Sequence, residues 1–268
     1  GAALAAEQGR FELICANNVC AHIDDLTGVF AGVRALLAED GTFVFEVSYL
    51  LDVIEKTLFD TIYHEHLDYH SVTPLAPALE RAGLRLVAIE RIDTHGGGLR
   101  GYAKPIAGDP PIDPSVGEAI AEEAAAGLGA PADRLRRFQT YGDDIAAKGR
   151  QTRALIAELR AEGRKIAGFG APAKLTTLAA AFALEDADFA FVVDDSAWKQ
   201  GLLLPDRDLS IRGAEAIAAE GVTGLVVFAW NFAEPILERF GDWLEGGGAA
   251  VVPLPAPRAV RARAEILG

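Results

Sequence analysis

Apolar runs bounded by glycine or proline alternate with stretches of helical periodicity along most of this 268-residue chain. Residues 2–8 have the composition of a short helix, and residues 11–16, apolar apart from Glu12, read as a continuous strand. Asp24-Asp25-Leu26 opens a stretch of apolar residues at helical spacing through Leu37, with an aspartate suited to capping the helix. Gly41 breaks the chain before an apolar strand at 42–47. After a polar segment, Thr73-Pro74-Leu75 starts a helix that Gly83 ends. Residues 84–92 and 99–102 read as strands around His95-Gly96-Gly97-Gly98, the pattern of a terminal hairpin. The order strand, helix, strand, helix, strand, strand predicts the second half of a doubly wound α/β sheet.

Gly108-Asp109-Pro110-Pro111-Ile112-Asp113-Pro114 has the composition of a linker. Residues 115–162 read as long helices interrupted near Gly127-Leu128-Gly129-Ala130-Pro131. A second α/β unit starts at Lys165, where Ile166-Ala167-Gly168-Phe169-Gly170 is a strand entering a glycine turn. Its helix covers 173–182, and a strand at 189–193 ends in Asp194-Asp195. A helix at 213–220, a strand at 224–229 ending in Trp230-Asn231, a helix at 232–244 and a strand at 249–252 complete it. The expected division is a sheet domain over 1–104, a linker with helices over 105–163 and a nucleotide-binding type of domain over 164–268.

The formal charge of −14 argues against duplex nucleic acid as a partner, because phosphate binding needs a basic face. An anionic small molecule stays compatible with it if a pocket supplies backbone N–H groups and one or two cations. The two cysteines, Cys15 and Cys20, make neither a disulfide framework nor a four-ligand zinc site, and read as reduced core thiols of a cytoplasmic protein. The sequence opens without a secretory signal, and its longest apolar candidate, 166–184, carries Pro172 and Lys174, so no membrane partner is expected. The chain has no methionine, begins at Gly1 and runs almost at once into a strand of interior type. These features point to the carboxyl-terminal part of something longer.

The chemistry concentrates in Phe59-Asp60-Thr61-Ile62-Tyr63-His64-Glu65-His66-Leu67-Asp68-Tyr69-His70, which holds three of the five histidines. It follows a strand, where α/β sheets place their reactive loops. His64-Glu65 begins like a zinc-protease signature, but Asp68 stands where that pattern needs histidine, and no metal site is expected. Acid–base work fits better. Imidazole titrates nearest working pH, Glu65 can orient it, and Tyr63 can donate to a developing oxyanion. His66 and Tyr63 are the favoured pair; His64 and His70 are as well explained by bonds to loop carbonyls. His22, in Asn17-Asn18-Val19-Cys20-Ala21-His22, follows the neighbouring strand and is placed to face the same cleft. Gly168-Phe169-Gly170-Ala171-Pro172-Ala173-Lys174 resembles a phosphate-cradling turn, although it is no P-loop and Ala173 replaces the third glycine of the dinucleotide fingerprint. Asp194, Lys199 and Asn231 end neighbouring strands on the same sheet edge. A tight turn without ligand is the competing explanation.

As an ordered set, these motifs resemble the sugar C-methyltransferase family. The matching stretches run from Ala16-Asn17-Asn18-Val19 and His22-Ile23-Asp24-Asp25 through Phe43-Val44-Phe45-Glu46-Val47 and the histidine segment. They continue with His95-Gly96-Gly97-Gly98-Leu99-Arg100, Gly168 to Lys174, Asp194-Asp195-Ser196 with Lys199-Gln200-Gly201, and Ala229-Trp230-Asn231-Phe232. The resemblance implies a partial class I methyltransferase sheet, a helical linker and a Rossmann-like carboxyl-terminal domain. It implies S-adenosylmethionine as donor and a nucleotide-diphosphate keto-deoxysugar as substrate, methylated at carbon. It implies His66 as base, with Tyr63, Glu65 and His22 around the sugar, Asn17 and Asn18 beside the donor, and His95, Gly168, Gly170, Ala171, Lys174, Asp194, Lys199 and Asn231 toward the nucleotide-sugar. The chain departs from the family plan in showing neither its small zinc domain nor its early glycine-rich donor turn. Two other readings compete: a nicotinamide-dependent nucleotide-sugar oxidoreductase using the Gly168 turn, with Asp194 a partial match to the acidic residue it needs, and a noncatalytic nucleotide-sugar-binding fragment.

Overall fold

From Gly41 to Val47 every second residue is buried, and this alternation makes one strand the spine of the first sheet. The computed structural model describes residues 2–93 and 96–267. Two compact units divide the chain: Gly1–Leu58 with His64–Tyr141, and Phe59–Tyr63 with Gly142–Gly268.

In the first unit, helix α1 (Ala2–Gln8) precedes strand β1 (Phe11–Asn17). Helix α2 (Leu26–Leu36) is capped by Asp25, whose carboxylate accepts the Gly28 N–H at 2.8 Å. Strand β2 (Leu37–Ser48) follows directly. The helix was expected to run through Leu37 and the strand to begin at 42. Instead Leu37 takes extended backbone, is fully buried and pairs with Phe11. Helices α3 (Leu50–Glu55) and α4 (Val72–Arg81) lead to strands β3 (Leu84–Ile92) and β4 (Gly98–Pro105). The sheet order is β1-β2-β4-β3, with β1 parallel to β2 and both β4 pairings antiparallel, so the expected terminal hairpin is present. Phe45 lies opposite Gly101, where an added Cβ would come within 2.1 Å of the ring. β1 is an edge strand and leaves Cys15 exposed, so only Cys20 is the core thiol expected; burial pushes its pKa up to about 11. Helix α5 (Pro114–Ala125) packs on β3 and α4, and α6 (Pro131–Ala161) contains the boundary between the units.

The second unit is built on strand β5 (Ile166–Phe169), buried at all four positions as a central parallel strand requires. Helix α7 (Leu175–Ala181), strands β6 (Val192–Val193) and β7 (Ile211–Arg212), helix α8 (Glu215–Ala219) and strand β8 (Gly224–Val227) follow. Helices α9 (Ala233–Arg239) and α10 (Gly241–Glu245) and strands β9 (Ala249–Val252) and β10 (Arg258–Val260) close it. The order β10-β9-β8-β5-β6-β7, parallel except for β10, is that of a doubly wound dinucleotide-binding sheet. Its switch point falls between β5 and β8. Two readings are corrected here. The strand expected at 189–193 pairs only at Val192–Val193, and the helix expected at 232–244 is two helices with Phe240 between them.

Candidate active site

β1 ends in Asn17, and the chain turns through Asn18 in the left-handed region (φ 53°), with the Asn18 N–H bound to the Glu46 carbonyl at 2.9 Å. Asparagine tolerates this conformation better than most residues. The turn delivers the 3₁₀ turn Cys20–His22, whose Cys20 and Ala21 are buried and whose His22 is exposed. The Ala21 carbonyl accepts the Leu67 N–H at 2.8 Å. This bond ties the histidine segment to the end of β1, and the His22 and His66 rings stand 4.9 Å apart, tilted by 59°. Tyr69 meets His66 edge-on at 6.2 Å. His64 and Glu65 point outward, with 83% and 56% of their side chains exposed and 4.0 Å between the His64 Nε2 and a Glu65 carboxylate oxygen. Of the residues expected here, His22 and His66 are brought together beside Asn17 and Asn18. Glu65 has His64 as its neighbour.

Asn17 pairs in register with Glu46, and Glu46 with Arg100, so these residues form a row across the sheet. Arg100 bonds Glu46 at 2.6 Å and Glu90 at 3.0 Å. The Glu46 and Tyr102 side chains hold its pKa above the usual guanidinium range. Sequence reasoning did not single out Glu46 or Arg100, because strand charges without a register carry no signal. His95 lies outside the described residues.

Tyr63 belongs to the second unit with the rest of Phe59–Tyr63. The glycine turn of that unit has close protein neighbours. A Cβ on Gly168 would fall 2.5 Å from the Phe228 ring, and Gly170 (φ 91°) sits where a Cβ would be 2.6 Å from that of Ala229. The Ala171 N–H donates to Asp194 at 2.8 Å, and Ser196 N–H to the other Asp194 oxygen at 2.9 Å. Lys199 bridges Asp194 (3.1 Å) and the Ala171 carbonyl (3.0 Å). Burial works against ionisation of Asp194, but these two amides and the Lys199 ammonium outweigh it and hold its pKa below the ordinary carboxylate range. Asp194 thus spends both oxygens on the turn and its own loop, which leaves little for a ribose hydroxyl. Lys174 bonds the Asn231 carboxamide and lies 3.4 Å from the carboxylate of Asp60. Trp230 was expected with Asn231 on this sheet edge, but its bond to Asp60 was not; 170 residues separate the two, and no spacing rule links them.

The exposed carboxamides of Asn17 and Asn18 stand at the carboxyl end of a parallel strand, where such sheets take their ligands, and can both donate and accept. That chemistry fits one side of a nucleoside-type methyl donor. Among the described residues no group of three histidine, cysteine or acidic side chains is placed to hold a metal ion, and no helix is long and apolar enough to cross a membrane.

A mixed sheet carrying a histidine pair at the end of its parallel edge strand, followed in the chain by a Rossmann-type unit, makes this an α/β protein of two units. Residues 2–89 match the family described as methyltransferase domain, and residues 93–255 match the C-methyltransferase C-terminal domain. The chain belongs to the C-methyltransferase family. It is similar to C-methyltransferase NovU of Streptomyces niveus, with 36% identity over 266 residues, covering 99% of this chain and 62% of that relative.

Proposed function

We propose that this chain carries the proton-abstracting and nucleotide-sugar-binding parts of an S-adenosylmethionine-dependent C-methyltransferase that acts on a nucleotide-diphosphate keto-deoxysugar. The observation that supports it most is the His22–His66 pair, held at the carboxyl end of β1 by the Ala21–Leu67 bond.

A carbon beside a ketone is a weak acid, and a neutral imidazole is too weak a base to remove its proton unaided. His66 takes that proton, and a donor to the ketone oxygen lowers the cost by stabilising the enolate as it forms. Tyr63 is the donor. It is three residues from His66, so their Cα atoms are separated by at most about 11 Å. His22 sets its ring 4.9 Å from that of His66 and so limits the positions the base can take. Asn17 and Asn18 bind the methyl donor. When bound, S-adenosylmethionine supplies an electrophilic methyl group to the activated carbon. The second unit, taken by itself, has at its switch point the place where such a sheet binds a nucleotide, with Lys199, 42% exposed, a cation on the Asp194 loop.

Proton abstraction does not require the donor, so the reading is testable on the chain as it stands. Incubated with a thymidine diphosphate keto-deoxysugar in D₂O, the chain exchanges the hydrogen next to the ketone. His66→Ala reduces that exchange by about 10²–10⁴-fold, the usual contribution of a positioned base. Undiminished exchange by the variant would remove His66 from the role.

A further inference from the structure

Asp60 is the most completely buried acid of the second unit, with no exposed surface. Its Oδ2 accepts the Trp230 indole N–H at 2.6 Å and faces the Lys174 ammonium at 3.4 Å. Its Oδ1 has no hydrogen-bond partner among the described residues. Lys174 completes the group by bonding Asn231 and standing 4.7 Å from the centre of the Trp230 ring. An isolated carboxylate in such a place is very costly, and among the described residues the Lys174 ammonium is its ion-pair partner. The charge of Lys174 is therefore neutralised within the protein. A diphosphate approaching this turn meets an ammonium already bonded to Asn231 and ion-paired with Asp60.

The same short turn is fastened at two more points. Thr177 Oγ1–H donates to the Ile62 carbonyl at 3.0 Å, and the Phe59 and Phe182 rings lie 5.2 Å apart. Inside the turn, the Ile62 and Tyr63 amides bond the Phe59 and Thr61 carbonyls at 2.9 and 3.1 Å. Only residues 59–63 join the second unit; the chain on either side belongs to the first. Leaving that place breaks the Trp230–Asp60 and Thr177–Ile62 bonds and takes the Asp60 carboxylate from Lys174, so these contacts together give so short a piece of chain one place.

We propose that Asp60 is a positioning residue: its buried pairing with Lys174 and Trp230 anchors the Phe59–Tyr63 turn on the second unit and so sets the backbone from which Tyr63 acts. The anchor stands on the geometry alone; its consequence for catalysis rests on the role assigned above to Tyr63. Lys174 then serves the turn and is not the phosphate ligand its place after the glycines suggests.

Amide hydrogen exchange on the full chain tests the anchor without any ligand. Asp60→Asn and Lys174→Met each speed exchange of the Ile62 and Tyr63 amides by at least about tenfold, while the β8 amides keep their wild-type rates and report an intact sheet. Lys174→Arg, which keeps the charge, keeps the protection. The double variant Asp60→Asn/Lys174→Met is no worse than either single one, because the second change removes the charge the first left unpaired. Unchanged protection in both single variants overturns the proposal. So does a Lys174→Met chain with a normal turn that no longer binds thymidine diphosphate. Trp230→Phe, which keeps a ring and drops the N–H donor, gives a smaller acceleration and guards against variants that fail to fold. In the D₂O exchange assay, Asp60→Asn lowers the turnover number with KM within about twofold, whereas loss of a substrate ligand would raise KM. If the wild-type chain exchanges no substrate hydrogen, the functional reading falls and the amide measurements still decide the anchor.

Discussion

His70 carries its imidazole into the first unit with 6% of its surface exposed, and Nε2 has no hydrogen-bond partner among the described residues. Burial lowers its pKa, against a smaller opposing pull from the Asp68 carboxylate. The unfolded chain takes up a proton near pH 6.5, while the folded chain resists until the pH is lower. Proton uptake on unfolding means that the stability associated with neutral His70 is complete above about pH 6.5 and is lost as pH falls toward the folded value. The urea midpoint therefore drops between pH 7.5 and 5.5. In His70→Phe the drop is smaller over the same interval. An equal drop in both proteins would assign the effect to other groups. The other described histidines differ in kind from His70. His22 and His66 meet at a strand end, His64 is exposed, and His95 lies outside the described residues. The sequence reading set His66 apart but did not separate His64 from His70; burial does.

Helix α4 begins with Ser71 as N-cap, yet the serine side chain makes no capping bond. The cap comes from α5. Glu123, fully buried, accepts the Val72 and Thr73 N–H groups at 2.6 and 2.9 Å and the Thr73 hydroxyl at 2.6 Å. The Tyr49 hydroxyl donates to it at 3.0 Å, and burial together with the Glu123 charge keeps that phenol protonated far above its ordinary range. A carboxylate at a helix N-terminus satisfies orphan donors and complements the helix dipole. Glu123→Gln keeps the shape but replaces one acceptor oxygen with an amide that opposes a donor. Its expected cost is about 2–4 kcal/mol, seen as a lower denaturation midpoint at unchanged slope. A cost below about 0.5 kcal/mol would mean that the α4 start is satisfied by water. The elements themselves were largely legible, because β1, β3, β5, β8 and β9 are mainly apolar stretches that begin at or shortly after a glycine, and β2 has its apolar run after Gly41. β7 and β10 were not. They are two and three residues long and each contains an arginine, so only pairing with β6 and β9 makes them strands. Glu123 was equally hidden, since a cap supplied 51 residues away leaves no local pattern.

At the scale of the whole molecule, the excess of 39 acidic over 25 basic residues acts on both stability and ligand approach. Pairs such as Arg239–Asp195 and the Glu162 group between Arg164 and Arg261 are exposed, and exposed pairs contribute about 0–1 kcal/mol each, less in salt. The guanidinium bonds from Arg261 and Arg164 hold the Glu162 carboxyl down to about 2, so these pairs stay charged through any neutral buffer. Salt weakens them, but it also screens the repulsion among 14 uncompensated negative charges, which acts over longer distances. The long-range term dominates when net charge is this large. The melting temperature should rise by a few degrees between about 10 mM and about 200 mM sodium chloride, and a fall would assign control to the ion pairs. The same field opposes the approach of an anionic nucleotide. The association rate of thymidine diphosphate should therefore increase over that salt range, opposite to the behaviour of a basic nucleotide-binding surface. Stopped-flow mixing at several salt concentrations measures this slope. A rate that falls with salt would mean that the path to the site is locally positive, and would direct attention to Lys199 and to whichever cations the Asp60 and Asp194 pairs leave unneutralised.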